Sequence, residues 1–352
     1  MPPANMQKWF PWTKSPLICN GPMLNVVTPK LASEVSKAGG IGFLASAFDA
    51  APSSAHLRTL TSDLTESQAL VGKTTSGLIN VGVSFITGHE SIAHFRETAL
   101  PILTRLRPAA LWLFAPDDTV RPHGAIIQAV KGLDPAPRIF VQVGNVTAAR
   151  EAVVDGADVL VCQGIDAGGH QFRRGMGVVS FVPEVRNLLE DEFAERDVAV
   201  LGAGGIADER GVAAAMALGA DGVVMGTRFT VASESCYPEF RKQLVLSTVD
   251  GGSSTLKSPF NDQVNKSSLW GPLYDGRAIM STIHEQFLKG ATVQELQRSL
   301  KEDYSADEAA KLVSTWAGTG VGLVKSVKPA GEIVTEVREG AKERIRKLAG
   351  KL

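Results

Sequence analysis

The sequence predicts a closed (β/α)8 barrel, a TIM barrel, with a helical lobe inserted after the eighth strand. Short apolar runs alternate with helical segments, which is typical of a parallel sheet with helical crossovers. The stretch Asp155-Gly156-Ala157-Asp158 precedes one apolar run, and Leu218-Gly219-Ala220-Asp221 precedes another in the same way. About eight strand–helix units fit before Arg228, which favours a closed barrel over an open doubly wound sheet, the alternative fold.

Each predicted strand is a short apolar run that ends in a polar or glycine-containing turn. The runs are Leu17–Asn20, Ile41–Leu44, Gly77–Ile86, Ala110–Phe114, Ile139–Val143, Val159–Cys162, Val198–Leu201 and Val223–Met225. We expect Thr28, Thr147 and Asp208 to cap the helices that follow the first, fifth and seventh strands. Further helices are predicted at residues 53–70, 91–106 and 125–132.

The regular alternation stops after Ala232. We expect residues 1–233 and 320–352 to form the barrel, and residues 234–319 to form a mostly helical lobe that covers its mouth. Within the lobe, residues 250–276 are polar without a clear period, whereas residues 279–289, 293–300 and 306–316 are expected to be helical. A last helix at residues 332–348 has apolar side chains at helical spacing. We expect it to pack on the barrel with its Lys and Arg side chains in solvent.

Composition excludes several classes of protein. The chain has 352 residues, 44% hydrophobic residues and a formal net charge of -1, which gives no reason to expect a nucleic-acid partner. It contains no apolar run of the roughly 18 residues that a membrane span needs. The 3 cysteines, Cys19, Cys162 and Cys236, form neither a disulfide framework nor a metal cluster, and we expect no metal.

The chain ends bear on localisation. The first residues contain no apolar leader, which predicts a cytoplasmic protein. Gly350-Lys351-Leu352 differs by one residue from the peroxisomal signal Ser-Lys-Leu, and peroxisomal import is the alternative.

Two glycine-containing loops follow the last two predicted strands. Gly202-Ala203-Gly204-Gly205 comes before the helix capped by Asp208, and Gly226-Thr227-Arg228 follows the eighth strand. Glycine lets the backbone approach an anion closely, and N–H groups at a helix start point towards it. Loops at these two positions are where (β/α)8 barrels bind phosphate. Arg228 could add charge beside a phosphate or form a structural salt bridge.

The loop after the sixth strand, Gln163 to His170, lies where barrel active sites are built. Its paired glycines, Gly168 and Gly169, leave room for a flat ring. The imidazole of His170 suits proton transfer near neutral pH. A surface histidine that hydrogen-bonds a carbonyl is the structural alternative.

The loop QGIDAGGH, together with GAGGIADERGVAAAMALGADGVVMGTRF, closely resembles the nitronate monooxygenases, formerly called 2-nitropropane dioxygenases. The resemblance extends from the Gly21-Pro22-Met23 turn to about Ala330. It implies a TIM barrel with a helical lobe and one non-covalent FMN. It also implies oxidation of alkyl nitronates, with neutral nitroalkanes left open, by O2 to a carbonyl compound and nitrite. The implied route passes through a one-electron flavin semiquinone without nicotinamide, and the oligomeric state, monomer or homodimer, is left open.

Matched residue by residue, the resemblance makes His170 the catalytic residue, as a base for the neutral nitroalkane or a donor to the bound anion. It implies FMN contacts from Met23, Asn80, Gln142, Gln163, Gly168, Gly169, Gly204, Gly205, Gly226 and Thr227. The alternative for Asn80 and Gln142 is a polar residue inside the barrel whose hydrogen bonds are made within the protein. Asp166 stands where the family often has Glu. Phe260, Trp270 and Tyr274 could roof the pocket or form local core.

Three other classes of protein remain open. NAD(P)H-dependent FMN reductases of the same superfamily, which act on quinones or enoyl thioesters, share these loops. Inosine-monophosphate dehydrogenases also have late phosphate loops but need a cysteine nucleophile on the loop after the sixth strand. Cys162 lies within that predicted strand, which favours a buried structural thiol. A barrel that binds a phosphorylated ligand without turnover is the non-enzymatic alternative.

Overall fold

Eleven strands form two sheets in the computed structural model, which describes residues 6–351. They are β1 (Leu17–Asn20), β2 (Gly42–Phe43), β3 (Ile79–Ile86), β4 (Pro108–Phe114), β5 (Arg138–Val143), β6 (Val159–Gln163), β7 (Gly169–Phe172), β8 (Ala199–Ala203), β9 (Gly222–Met225), β10 (Thr255–Ser258) and β11 (Tyr274–Ile279). The expectations drawn from residues 1–5 and from Leu352 lie outside the described residues.

The larger sheet is all parallel and has the order β1-β9-β8-β6-β5-β4-β3-β2. Its first and last strands meet, because Cys19 of β1 forms a parallel bridge with Ile41, the residue before β2. The N–H of Ile41 donates to the carbonyl of Ile18 at 3.3 Å. The predicted (β/α)8 barrel is therefore confirmed, and the open doubly wound sheet is wrong.

Sixteen α-helices in residues 6–351 connect and cover these strands. They are α1 (Met6–Trp9), α2 (Pro29–Lys37), α3 (Ala55–Val71), α4 (Phe95–Leu106), α5 (His123–Lys131), α6 (Val146–Asp155), α7 (Val178–Glu192), α8 (Glu209–Ala217), α9 (Thr227–Thr230), α10 (Glu239–Ser247), α11 (Gly251–Ser254), α12 (Phe260–Val264), α13 (Thr282–Leu288), α14 (Val293–Glu302), α15 (Ala306–Leu312) and α16 (Ala330–Ala349). Short 3-10 helices lie at Glu90–His94 and Thr319–Leu323.

Two of the three predicted caps are confirmed. The Thr28 hydroxyl accepts from the N–H of Leu31 at 3.1 Å, and the Asp208 carboxylate accepts from the first turn of α8. The cap of α6 is Asn145 instead of Thr147, since its side-chain oxygen accepts from the N–H of Ala148 at 2.9 Å. Asn and Thr both cap helices, and the observed cap lies two positions before the predicted Thr147.

The barrel interior is filled by aromatic side chains below its C-terminal mouth. Phe43 contacts Trp112 and Phe140, with ring centroids 5.0 Å apart in each pair. Phe10, which follows α1, packs on Phe140 at 5.9 Å and is fully buried. This packed interior closes the barrel from below, because bulky rings leave no channel through its axis.

A second, antiparallel sheet lies beside the barrel mouth in the order β10-β11-β7. Strand β7 begins within the segment that the sequence predicts as a loop and extends two residues beyond it. It pairs with β11 so that His170 is opposite Gly276. Residues 250–276, which show no period, contain α11, β10, α12 and the start of β11. These pieces are too short for a period to be recognised.

The last helix, α16, packs on the barrel through Ile333, Val334 and Ala341. The expectation that its basic side chains lie in solvent is wrong for Arg338, which is 2% exposed. Its guanidinium donates to the carbonyl oxygens of Pro16 at 3.1 Å, Ala38 at 2.7 Å and Gly39 at 2.7 Å. The arginine therefore ties the end of the chain to the first βα unit.

Candidate active site

A cavity of about 430 Å³ opens at the C-terminal ends of the barrel strands. Ten of the eleven residues that the sequence predicts for the site line it: Met23, Gln142, Gln163, Gly168, Gly169, His170, Gly204, Gly205, Gly226 and Thr227. Apolar and aromatic side chains form much of the remaining wall: Ile86, Trp112, Phe114, Val161, Val224, Trp270 and Trp316. Such a concave, mostly apolar space with a few convergent polar groups is the usual form of a small-molecule site.

The two predicted phosphate loops lie side by side in this wall, since β8 and β9 are neighbours. Gly204 and Gly205 have φ angles of 98° and 72°, a region that other residues rarely adopt. A side chain at Gly204 would also lie 2.7 Å from the carbonyl oxygen of Gly164. Position 204 therefore needs glycine, both for its φ angle and for its close approach to the loop after β6.

A glycine-rich return, residues 318–322, connects the loop after β9 with the loop after β6. The N–H of Gly318 donates to the hydroxyl of Thr227 at 3.0 Å, and the N–H of Thr319 donates to the carbonyl of Asp166 at 2.9 Å. A Cβ atom on Gly168 would lie 2.4 Å from the carbonyl carbon of Ala317. The loop after β6 and the return therefore touch through their backbones.

A directed chain of hydrogen bonds crosses the wall from β4 to β7. Trp112 Nε1 donates to Gln142 Oε1 at 3.2 Å, and Gln142 Nε2 donates to Gln163 Oε1 at 2.7 Å. Gln163 Nε2 then donates to the carbonyl oxygen of His170 at 3.2 Å. Because an indole can only donate, the chain fixes the orientation of both amides.

The imidazole of His170 lies at the rim of the cavity and contacts three side chains from residues 234–319. Its Nε2 atom is 2.7 Å from Oδ1 of Asp262 on α12. The ring of Trp270 stacks on the imidazole, with centroids 3.7 Å apart and an angle of 11° between the planes. Trp316 meets it at 4.7 Å and 55°.

Asn80 is the one predicted site residue that the structure does not bring to the cavity. It is the second residue of β3, and the carboxyl end of that strand is the one that reaches the mouth. Ser84, four positions further along, lines the cavity instead, and its hydroxyl lies 2.9 Å from that of Ser46. Asn80 and Ser84 interrupt the same apolar run, but Ser84 lies nearer the end of β3 that reaches the cavity.

The three aromatic residues that the sequence suggested as a roof of the pocket lie in different places. Trp270 lines the cavity, whereas Phe260 is buried in a small hydrophobic cluster with Ile283 and Leu296. Tyr274 packs against Phe114, with centroids 5.5 Å apart.

Arg228 does not line the cavity within the described structure. Its guanidinium donates to the carbonyl of Ser326 at 3.1 Å, and burial lowers its pKa. Its role is therefore to hold the segment before α16.

Sequence reasoning missed Asp262, Trp316 and the two serines. Asp262 lies in a five-residue helix inside the aperiodic stretch, 92 positions away from His170. The signal that could have drawn attention to it was a carboxylate next to predicted roof aromatics.

Between residues 6 and 351, no three His, Cys, Asp or Glu side chains converge in a way that could hold a metal ion. None of the helices in this range combines the length and apolar character that a membrane crossing requires.

These features define the class of the protein: a TIM barrel with a candidate site at the carboxyl ends of its strands. A sequence profile described as nitronate monooxygenase matches residues 127–340. A nitronate monooxygenase of Neurospora crassa is 46% identical over 98% of this chain and 94% of that protein. The chain belongs to the nitronate monooxygenase family and is an oxidoreductase. The family is in general flavin-dependent and acts on small-molecule nitronates with O2.

Solved structures share the fold at lower identity. FabK from Thermotoga maritima superposes with a TM-score of 0.75 at 21% identity and covers 100% of both chains. A nitroalkane oxidase from Streptomyces ansochromogenes gives a TM-score of 0.72 at 21% identity and covers 97% of this chain and 99% of its own. At this identity the likeness concerns the barrel fold.

Proposed function

We propose that this chain oxidises alkyl nitronates with O2 to a carbonyl compound and nitrite, and that it uses FMN to do so. The observation that carries the proposal is the meeting of the His170 imidazole and both glycine loops in one cavity. Membership of the nitronate monooxygenase family supports the substrate class.

The residues present fit an FMN. Gly204, Gly205, Gly226 and Thr227 form a wall with little side-chain bulk, which suits a phosphate held by backbone N–H groups. Gln142 and Gln163 offer oriented amides, and Met23 lies beside Gly226 to pack against a ring. Gly169, where a Cβ would meet no atom within 4 Å, leaves an open surface for the flat face of the flavin. The bound flavin would supply the acceptor that takes electrons from the nitronate and passes them to O2.

The chain's own groups hold the substrate. A nitronate is a small planar anion, and the imidazole of His170 lines the cavity that would hold it. The aromatic wall formed by Trp112, Phe114 and Trp270 keeps water away from this anion, which strengthens every polar contact in the cleft. We propose in addition that residues 234–319 act as the lobe that closes the mouth, since Asp262, Trp270 and Trp316 come from it.

The test is a visible spectrum of the purified protein, followed by anaerobic mixing with propyl nitronate. We expect flavin bands that bleach with the nitronate and return when air is admitted, with release of nitrite. Bands that ignore the nitronate but bleach with NADH would replace this proposal by an NAD(P)H-dependent reductase. A protein that takes up no flavin even in excess FMN would refute the cofactor site.

A further inference from the structure

The contact between His170 and Asp262 fixes the proton on the imidazole. Nε2 of the ring lies 2.7 Å from Oδ1 of the carboxylate, and both side chains are largely buried, with exposed fractions of 11% and 14%. An ionised carboxylate only accepts hydrogen bonds, and Nε2 must therefore carry the hydrogen. In the neutral ring, Nδ1 is then the nitrogen with a free lone pair.

The ring is held in this position from its other sides. Trp270 stacks on one face, and Trp316 approaches at a tilt. Gly276, the β11 partner of His170, has no side chain, and a Cβ there would lie 2.5 Å from the ring of Trp316 and 3.4 Å from Nε2 of His170. The glycine thus makes room for both rings.

Asp262 is held in turn by its neighbour in α12. The Asn261 amide is 1% exposed and donates to the carbonyl of Gly276 at 2.9 Å. Its oxygen lies 2.9 Å from Nε2 of His284. The short helix is therefore anchored to the strand that lies opposite His170, which sets the carboxylate against the ring.

Other charged groups near the ring have their own partners. Asp275 and Arg277 flank Gly276, and strand alternation places their side chains on the opposite face of β11. Lys257 pairs with Asp275 at 2.5 Å, and Arg277 donates to the carbonyl of Ile165 at 3.1 Å. Arg241 also lines the cavity and donates to two backbone carbonyls of the lobe. In the described structure, Asp262 is the carboxylate that contacts the imidazole.

We propose that Asp262 is a positioning residue that keeps His170 in its Nε2–H form, so that Nδ1 can remove the α-proton of a neutral nitroalkane. The inference rests on the proposed function and extends it to the neutral substrate. The C–H bond breaks, the proton passes to Nδ1, and the electron pair enters the C=N bond, which leaves the negative charge on the nitro oxygens. The imidazolium is stabilised by the carboxylate and returns its proton to water after turnover.

The kinetic test compares the parent enzyme with Asp262→Asn, Asp262→Glu and Asp303→Asn, each with bound flavin. Asp303 is an exposed carboxylate at the end of α14 and serves as the matched control. Oxygen uptake is measured with freshly dissolved neutral nitroethane and with preformed ethyl nitronate. We expect Asp262→Asn to lower kcat/KM for nitroethane roughly 10- to 100-fold while the value for the nitronate stays within about 3-fold. Asp262→Glu should recover part of the loss, and Asp303→Asn should behave as the parent.

The contrast between the two substrates is a reading that a merely structural role would not move. Equal losses with both substrates, or an unchanged ratio between them, would overturn the proposal.

Histidine 15N NMR tests the tautomer without any turnover. The His170 signals, identified by their loss in His170→Asn, should show a protonated Nε2 and an unprotonated Nδ1 in the parent, and a changed pattern in Asp262→Asn. A protonated Nδ1 in the neutral parent ring would overturn the proposal. Because this reading does not depend on catalysis, a parent that fails to oxidise ethyl nitronate would refute the proposed function while the NMR still decides the role of Asp262.

Discussion

The side-chain amide of Gln142 donates to Oε1 of Gln163 at 2.7 Å and joins the ends of β5 and β6 in the cavity wall. Gln142 also accepts from the indole of Trp112, and it is 8% exposed. Both ends of this amide are therefore used within the protein. Any ligand in the cavity meets these two glutamines in a fixed orientation.

Replacing Gln142 by Leu should destabilise the protein. The change removes the acceptor of the Trp112 N–H and the donor to the Gln163 oxygen. The buried indole N–H and the part-buried oxygen then lack these partners. We expect the free energy of unfolding to fall by roughly 1–3 kcal/mol. Urea unfolding monitored by circular dichroism measures the change.

The matched control for this change is Gln128→Leu, since Gln128 is exposed on α5. It should leave the midpoint nearly unchanged. Equal midpoints for the two leucine variants would contradict the importance that we assign to the buried chain of amides.

At Gly168 the loop after β6 lies so close to the return at Ala317 that a methyl group does not fit between them. A Cβ placed there would lie 2.4 Å from the carbonyl carbon of Ala317 and 2.5 Å from the N–H nitrogen of Gly318. Gly168→Ala should therefore push the return away from Thr227 and open the proposed phosphate wall. We expect the affinity of the apoprotein for FMN to fall at least about 10-fold, measured by fluorescence titration.

Gly177→Ala is the comparison for this steric argument, because a Cβ there meets no atom within 4 Å. It should bind FMN as the parent does. Tight binding by Gly168→Ala would show that the loop can move without harm to the cofactor site.

Arg338 should be essential for the attachment of the last helix. Its replacement by Met keeps an apolar stem but removes the guanidinium hydrogen bonds to the carbonyl oxygens of Pro16, Ala38 and Gly39. We expect a loss of about 2–4 kcal/mol in stability, since hydrogen bonds from a charged group are among the stronger ones. Arg346→Met, on the exposed end of α16, should change stability by less than about 0.5 kcal/mol, and similar losses for both would refute the assignment.

The barrel was predictable because its signals are local and repeat. Alternating apolar runs and glycine turns define parallel strands wherever they occur, and caps such as Thr28 and Asp208 mark helix starts. The second sheet was not predictable, since β7 has four residues and pairs with a strand about 100 positions later. Arg338 was not predictable for the same reason. An arginine in an amphipathic helix is expected to lie in solvent, and its carbonyl acceptors come from residues about 300 positions earlier.

The residues of the candidate site also include some that the sequence predicts and some that it does not. Glycines that need a special φ or a close approach leave a recognisable sequence, and His170 lies within such a loop. Asp262 reaches the imidazole from a distant, aperiodic segment, and no local pattern links the two. Asn80 and Ser84 differ only in their depth along β3, which periodicity does not give.

Two buried histidines should make the fold sensitive to acid. Burial lowers the pKa of His123 to about 3 and that of His284 to about 4, from an ordinary value of 6.5. As the pH falls, these two histidines therefore bind protons in the unfolded chain before they do so in the folded chain. The stability that each neutral ring contributes is complete above pH 6.5 and falls as the pH drops towards the lowered values. At pH 5.5 each ring should account for a loss of about 1.4 kcal/mol relative to pH 7.5.

Urea unfolding of the parent and of His123→Gln at these two pH values measures this linkage. The glutamine amide can still reach the hydroxyl of Thr87, which lies 2.8 Å from Nε2 of His123. The variant should start from a lower stability at pH 7.5 but lose about 1.4 kcal/mol less than the parent between the two values, because it has one titrating ring fewer. The same difference between pH 7.5 and 5.5 in parent and variant would mean that His123 takes up its proton in the folded protein.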